Sequence, residues 1–242
     1  MSCVEFTNLQ KSFGKRSIIS GLSVEIPEGI TTAIVGESGS GKTTLLQLVN
    51  GLLKPDKGEV RIFGTPIDYS NLAEVRRAMG YAVQGAGIFP HLTVFENVTI
   101  MARLCGWSDS SVAQRYQHLM ALLELTDEFS GRYPHSLSGG QQQRVGLCRA
   151  MMLDPPLLLL DEPFSALDPI TRTSIHEQFL LLQRMEPRSV VFVTHDMTEA
   201  RKLAEHAVIL QQGRVAQEGS IDTVADNPVN EYVENLFRGS GL

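Results

Sequence analysis

Thr31-Thr-Ala-Ile-Val35 followed by Gly36-Glu37-Ser38-Gly39-Ser40-Gly41-Lys42-Thr43 is the stretch that decides the fold. The first five residues are a β-branched run of strand type. The next eight match in full the glycine-rich loop whose backbone N–H groups turn inward on phosphates. Thr44 to Asn50 reads as a helix, closed by Asn50-Gly51. In that order, strand, loop and helix aim the positive end of the helix at the same anion. Lys42 is expected to reach the β- and γ-phosphates and the Thr43 hydroxyl to ligate Mg²⁺, with Thr44 closing the nucleotide-binding set. A glycine-rich turn with no ligand is the competing reading; the strand before and the helix after disfavour it.

Further along, Leu157-Leu-Leu-Leu160 and Val190-Val-Phe-Val193 are short and wholly apolar, which suits central parallel strands covered on both faces. Asp161 and Glu162 follow the first of them. A carboxylate at the carboxyl end of such a strand faces the ligand crevice of an α/β sheet. Asp161 is therefore a candidate magnesium ligand, through water. Glu162 is a candidate base for an attacking water, a role worth roughly 10²–10⁴-fold. By itself an apolar run ending in Asp-Glu is commonly only a strand end; the phosphate loop gives it meaning.

Leu137-Ser138-Gly139-Gly140-Gln141 has the spacing of a capping box, so a helix starts there. A capped helix does not need two glycines in its first turn, which lower helix propensity by roughly 1 kcal/mol each. Glycines at a helix start make sense where another body approaches the backbone. The phosphate site is already supplied by the loop in the same chain, so this second anion-facing element points to a nucleotide held by another subunit.

Around these motifs, Val4–Leu9, Leu22–Ile26 and Glu59–Phe63 alternate as strands do, and Tyr81–Val83 is a strand that delivers Gln84. Val98–Leu104, Val112–Leu125 and Val145–Met152 carry helical periodicity instead. Asn71–Glu74 and Asp196–Glu199 read as capping boxes, and Ala207–Leu210 with Arg214–Ala216 as a hairpin about Gly213. Asn227-Pro228 reads as the start of a terminal helix with Val229, Tyr232, Val233, Leu236 and Phe237 on one face.

The order Gly36–Thr43, Gln84, Leu137–Gln141, Asp161–Glu162, Ser165-Ala-Leu-Asp168 and His195 resembles the nucleotide-binding subunit of ABC transporters from about Val4 to Gly219. The resemblance implies an α/β fold: a P-loop NTPase core with a mostly parallel central sheet, an N-terminal antiparallel β region and an inserted α-helical subdomain. The whole of 1–242 is expected to be one ABC-type domain, with 1–91 and 154–242 as core and 92–153 as the helical subdomain. It further implies that two copies sandwich two ATP molecules head to tail. Ser138, Gly139, Gly140 and Gln141 of one copy would then touch the γ-phosphate held by Gly36–Thr43 of the other. Gln84 would sense Mg²⁺ and the attacking water, His195 would contact the γ-phosphate, and the stretch ending in Asp168 would line the dimer interface. Phe13 stands where the family has an aromatic stacked on adenine, more commonly Tyr. Catalysis would rest on Glu162, His195, Gln84 and Lys42, and metal binding on Thr43, Gln84 and Asp161.

Gly80 to Val98 and Asp161 to Arg172 resemble importer ATPases, most of all the osmoprotectant group that takes up glycine betaine, choline or related quaternary amines. Amino-acid importers and lipid or lipoprotein transporters stay open as alternatives. The chain stops at residue 242, so the second regulatory domain common in that group is not expected. A permease is expected to dock on residues 84–93, where Ile88-Phe89-Pro90 forms an apolar tip, with internal packing of that tip as the competing reading. A solute-binding protein, a bacterial source and a place on the cytoplasmic face of the plasma membrane follow from the same resemblance.

Bulk properties narrow the rivals. A net charge of -6 argues against a nucleic-acid partner. The longest aliphatic run, four residues, is far short of the roughly 20 that span a bilayer, so a membrane role would act through a partner. No signal peptide is visible, and Cys3, Cys105 and Cys148 have neither metal-ligand nor disulfide spacing. A DNA-repair ATPase would need a long coiled coil between Thr43 and Leu137, where only about 95 residues without heptads lie. A soluble ATPase of metal-cluster assembly fits the length but not the Glu162-Pro-Phe164 texture.

Overall fold

Residues 31–35 are all buried and form the strand that runs into the glycine-rich loop. The computed structural model describes residues 1–85, 87–165 and 167–238. Ala86 of the loop 84–93, Ala166 of the stretch ending in Asp168, and the last four residues of the expected 1–242 domain lie outside the described residues. In chain order the elements are β1 (Ser2–Phe13), β2 (Arg16–Pro27), β3 (Thr31–Val35), α1 (Lys42–Val49), β4 (Lys57–Ile62), β5 (Thr65–Pro66), α2 (Leu72–Arg77) and β6 (Met79–Ala82). They continue with α3 (Val94–Leu104), α4 (Asp109–Leu122), α5 (Gly139–Met151), β7 (Leu157–Asp161), α6 (Pro169–Met185) and β8 (Ser189–Thr194). The chain then runs through α7 (Met197–Leu203), β9 (His206–Gln211), β10 (Arg214–Ser220), α8 (Ile221–Asp226) and α9 (Glu231–Arg238). The described residues form two compact units, 1–76 with 188–238, and 77–187.

In the first unit β1 pairs antiparallel with β2 and β4, and β4 with β5. This is the expected N-terminal β region. Beside it, β3 pairs parallel with β8, from Thr31 opposite Val190 to Val35 opposite Thr194, and parallel with β9 on its other edge. Every residue of β3 and β8 is buried, as expected of strands covered on both faces. β9 and β10 form the antiparallel hairpin about Gly213.

In the second unit β6 pairs parallel with β7, Met79 opposite Leu157. The helices α3, α4, α5 and α6 make up most of the rest. α3 starts at Val94, four residues before the periodicity predicts, because Thr93 and Glu96 close a capping box. α6 has no counterpart in the sequence reading. Its starting signals are present, an Asp168 cap with Pro169 in the first turn. Its buried face, however, mixes Ile175, Phe179 and Leu182 with His176 and Gln178, which blurs the apolar stripe. The chain is thus α/β, with an antiparallel N-terminal sheet, parallel-rich central strands and packed helices.

Two expectations need correction. The terminal helix begins at Glu231 rather than at Asn227-Pro228, and Val229 lies outside it, 61% exposed. Asn230 explains the late start: its Oδ1 accepts from the Val233 amide at 3.0 Å. At Asp196–Glu199 only half of the capping box forms. Asp196 Oδ1 accepts from the Thr198 amide at 2.7 Å, but Glu199 accepts from Thr194 Oγ1 at 2.6 Å, and it is Thr194 Oγ1 that the Asp196 amide reaches, at 3.0 Å.

Candidate active site

In the first unit the glycine-rich loop folds around its own lysine. Lys42 is 6% exposed and its Nζ donates to the Gly36 carbonyl at 2.7 Å and the Glu37 carbonyl at 2.9 Å. Gly36 has to be glycine, since a Cβ there would overlap the Leu210 carbonyl and stand 2.8 Å from Ser40 Oγ. Gly41 caps α1 in the left-handed region at φ 107°, and α1 has no side-chain cap. Ser40 Oγ is buried without a hydrogen-bond partner among the described residues, and such a group is costly unless a ligand or water completes it. A buried cation, an unpartnered hydroxyl and an uncapped helix start fit a bound phosphate. Glu37, Ser38, Gly39 and Thr43 are exposed, and Thr44 is half-buried.

Phe13 ends β1, is 50% exposed and has Lys11 Nζ 5.7 Å from its ring centroid. It pairs with Arg16 across the turn, and Arg16 Nη2 lies 3.7 Å from where a Cβ on Gly39 would be. The aromatic therefore belongs to the hairpin that flanks the loop. His195, exposed, follows β8. The Thr194 hydroxyl binds Asp196 and Glu199 and so holds the chain on both sides of it. Thr194 had no role in the sequence reading, and Glu199 was expected only to close a capping box; that it is a buried carboxylate bound to Thr194 is revealed by the fold.

In the second unit β7 delivers Asp161, 6% exposed, and Glu162, half-buried. Glu162 has a backbone φ of 44°, a left-handed conformation rare for a side chain of this size and worth roughly 1–3 kcal/mol of strain. Ser165 holds this turn, its amide at 3.3 Å and its hydroxyl at 3.0 Å from the Glu162 carbonyl. Gln84 Nε2 donates to Glu162 Oε2 at 3.2 Å, so residues 78 positions apart meet. Burial, and next the Asp161 charge, push the Tyr81 hydroxyl up to about 12, so Tyr81 stays protonated.

At the start of α5 the capping box is complete. The Ser138 amide donates to Gln141 Oε1 at 2.9 Å and the Gln141 amide to Ser138 Oγ at 3.3 Å. The two glycines have different causes. A Cβ on Gly140 would overlap Thr171 Cγ2 of α6, whereas a Cβ on Gly139 would meet nothing within 4 Å. Gly140 answers to packing inside the unit, and Gly139 leaves bare backbone facing outward. Asp168, expected at an interface, caps α6 through the Thr171 amide at 3.1 Å. The Thr171 hydrogen bonds also hold its carboxyl below the usual range.

The loop 84–93 hangs on one residue that the sequence reading passed over. Asn97 is fully buried, accepts from the Phe89 amide at 2.7 Å, and donates to the Phe89, Leu92 and Thr93 carbonyls at 2.9–3.0 Å. Phe89 is 42% exposed. An asparagine inside an apolar stretch was the available signal.

No described helix is long and apolar enough to cross a membrane. The model of the ABC transporter family matches residues 19–165. The glycine betaine uptake system ATP-binding protein YehX of Escherichia coli is 43% identical over 239 residues, 99% of this chain and 78% of that one. The glycine betaine/carnitine/choline transport ATP-binding protein OpuCA of Bacillus subtilis is 43% identical over 93% of this chain. Here the chain spans only 59% of its relative's length, and 61% of that of the choline transport ATP-binding protein OpuBA. Among solved structures, cbiO1 from Clostridium perfringens, part of an ABC transporter complex, has a TM-score of 0.86 at 25% identity, covering 93% of this chain and 91% of that one. The dimeric ATP-binding cassette MJ0796 bound to ADP and Pi has a TM-score of 0.80 at 33% identity, covering 90% and 98%. With a glycine-rich loop closed on a buried lysine, and a family match over more than half of its length, the chain belongs to the ABC transporter family as an ATP-binding, ATP-hydrolysing subunit.

Proposed function

We propose that this ATPase powers the uptake of a quaternary-amine osmoprotectant, of the glycine betaine or choline type, through a separate membrane permease. The observation that carries the reading is the 43% identity, over nearly the entire chain, to an ATP-binding protein of a glycine betaine uptake system. Two copies close around two ATP molecules. Gly36–Thr43 of one cradle the phosphates, Phe13 stacks on the adenine, and Ser138–Gln141 of the other copy approach the γ-phosphate through the bare backbone at Gly139. His195 contacts the same phosphate. Lys42 Nζ already donates to the Gly36 and Glu37 carbonyls, so meeting the phosphate exchanges hydrogen bonds rather than adding a new charge to a bare site.

Thr43, Gln84 and Asp161 are hard oxygen donors, the type that holds Mg²⁺; the ion supplies neutralising charge at the phosphates. Glu162 takes the proton of the attacking water through one carboxylate oxygen, while Gln84 holds the other. Residues 92–153 act as the helical subdomain. The loop 84–93, presented by Asn97 with Phe89 outward, receives the permease. The assembly sits peripherally on the cytoplasmic face of a bacterial plasma membrane and works with a solute-binding protein, without nucleic acid.

The test is uptake. In a host stripped of its other osmoprotectant systems, the native operon should restore import of labelled glycine betaine or choline under high salt. The same operon carrying Glu162→Gln should not. Equal import by both, or import of neither solute by the wild type, would overturn the assignment.

A further inference from the structure

The Tyr232 hydroxyl of the terminal helix α9 hydrogen-bonds to the phosphate loop. Tyr232 Oη donates to the Leu210 carbonyl at 2.9 Å and accepts from the Glu37 amide at 3.2 Å. Both capacities of the hydroxyl are used. The other end of residue 37 is tied as well, its carbonyl accepting from Lys42 Nζ at 2.9 Å and from the Ser40 amide at 3.1 Å. Leu210 is also the residue whose carbonyl a Cβ on Gly36 would overlap. Tyr232 therefore joins the two walls between which the loop enters.

The helix that carries this hydroxyl is itself strapped down. Gln217 of β10 donates through Nε2 to the Asn227 carbonyl at 2.9 Å and accepts through Oε1 from the Val229 amide at 3.0 Å, on either side of Pro228. Asn230 then caps the helix, while Val233 and Phe237 are buried. A strap, a cap and two apolar anchors fix one tyrosine, which removes much of the entropy cost of placing its hydroxyl.

We infer that Tyr232 is a positioning residue for nucleotide binding: it holds the Glu37 peptide so that the first turn of the phosphate loop is formed before ATP arrives. The inference rests on the reading of Gly36–Thr43 as the ATP site. Its consequence is that the C-terminal helix, outside the residues matched by the family model, sets ATP affinity.

Two measurements test it. In the wild-type protein without nucleotide, amide exchange at Glu37 should be slowed, and Tyr232→Phe, which removes only the hydroxyl, should release it. Binding of Mg-ATP to the same proteins should weaken about tenfold in Tyr232→Phe, because the loop turn must then be formed at the expense of binding, while the two intramolecular hydrogen bonds lost lower the melting temperature by only a few degrees. Gln217→Ala, which loosens the strap without touching the ring, should show a smaller shift in the same direction. An unprotected Glu37 amide in the wild type, or a Tyr232→Phe affinity within twofold of wild type, would overturn the role of Tyr232. Lys42→Ala separates the two levels. If it abolishes binding while Tyr232→Phe does not weaken it, only the positioning role fails; if Lys42→Ala binds as the wild type does, the site reading itself fails.

Discussion

The helices α1 and α5 both have glycine at their start, as the cap Gly41 of α1 and the first residue Gly139 of α5, and they treat their first amides in opposite ways. α1 is capped by Gly41 alone, with no side-chain hydrogen bond, beside a buried lysine and an unpartnered Ser40 hydroxyl. α5 is closed by Ser138 and Gln141 in a complete capping box. On the proposed reading an anion completes the first start; the second is closed by its own side chains and leaves an open face at Gly139. A helix start that awaits a ligand in its own chain can be told from one that meets a ligand only occasionally, and the mark is the side-chain cap. On the proposed reading, this is why ATP would bind to single copies through α1, while α5 engages only when a second copy arrives.

The largest effect that sharpens this contrast is Glu162→Gln. It should lower ATP hydrolysis by roughly 10²–10⁴-fold while leaving binding intact. Sizing in solution should then show a dimer with Mg-ATP and a monomer without it. A monomer that still hydrolyses ATP at the wild-type rate would remove the need for α5 to act on another copy.

The paired substitutions Gly139→Ala and Gly140→Ala divide contact from packing. Gly139→Ala has room for its methyl and should leave thermal stability equal or slightly raised, by about 0.5–1 kcal/mol. The same change should cut ATPase activity at least about tenfold by blocking the approach of a nucleotide. Gly140→Ala should instead destabilise the second unit by about 1–3 kcal/mol, because its methyl needs the place of Thr171. Equal activity losses for equal stability losses would mean that both glycines serve packing alone.

Ser138→Ala tests the cap itself. Removing the hydroxyl that accepts from Gln141 should cost about 1 kcal/mol, read as a lower melting temperature. α1 has no side-chain cap to lose, so its stability should depend on added Mg-ATP instead, rising by mass action.

A smaller effect concerns β9, which pairs with the strand that feeds the phosphate loop. Burial holds the His206 imidazole below its ordinary pKa. Unfolding therefore takes up a proton once the pH falls below about 6.5, so stability is full above that value and declines below it. His206→Asn should flatten the melting temperature between pH 7.5 and 5.5; an unchanged slope would assign the decline to other groups.

Much of the fold was legible because local rules and tertiary packing agree. Leu157–Leu160 contains no polar residue, and Thr31–Val35 has only two threonines, whose β-branched side chains suit a strand, so both read as buried strands and are buried. Legibility ended where side chains reach across the chain. α6 hides its apolar face among His176 and Gln178, the latter donating to Glu124 at 2.6 Å. Asn97 gathers a loop by four hydrogen bonds that no spacing rule anticipates. The candidate site divides likewise: motif order names Lys42, Asp161, Glu162 and His195, but not Thr194 or Glu199, which hold the backbone around His195.

By itself, then, the sequence determined the strand, glycine-rich loop and helix of the candidate phosphate site, the acidic end of β7 and the capped start of α5, since each depends on neighbours a few residues apart. Only the tertiary structure decided that Gln84 meets Glu162, that Gly140 serves packing while Gly139 stays open, and that Tyr232 seizes the Glu37 amide 195 positions away. Such contacts follow from where whole elements pack, and the sequence spacing of the partners carries no trace of it.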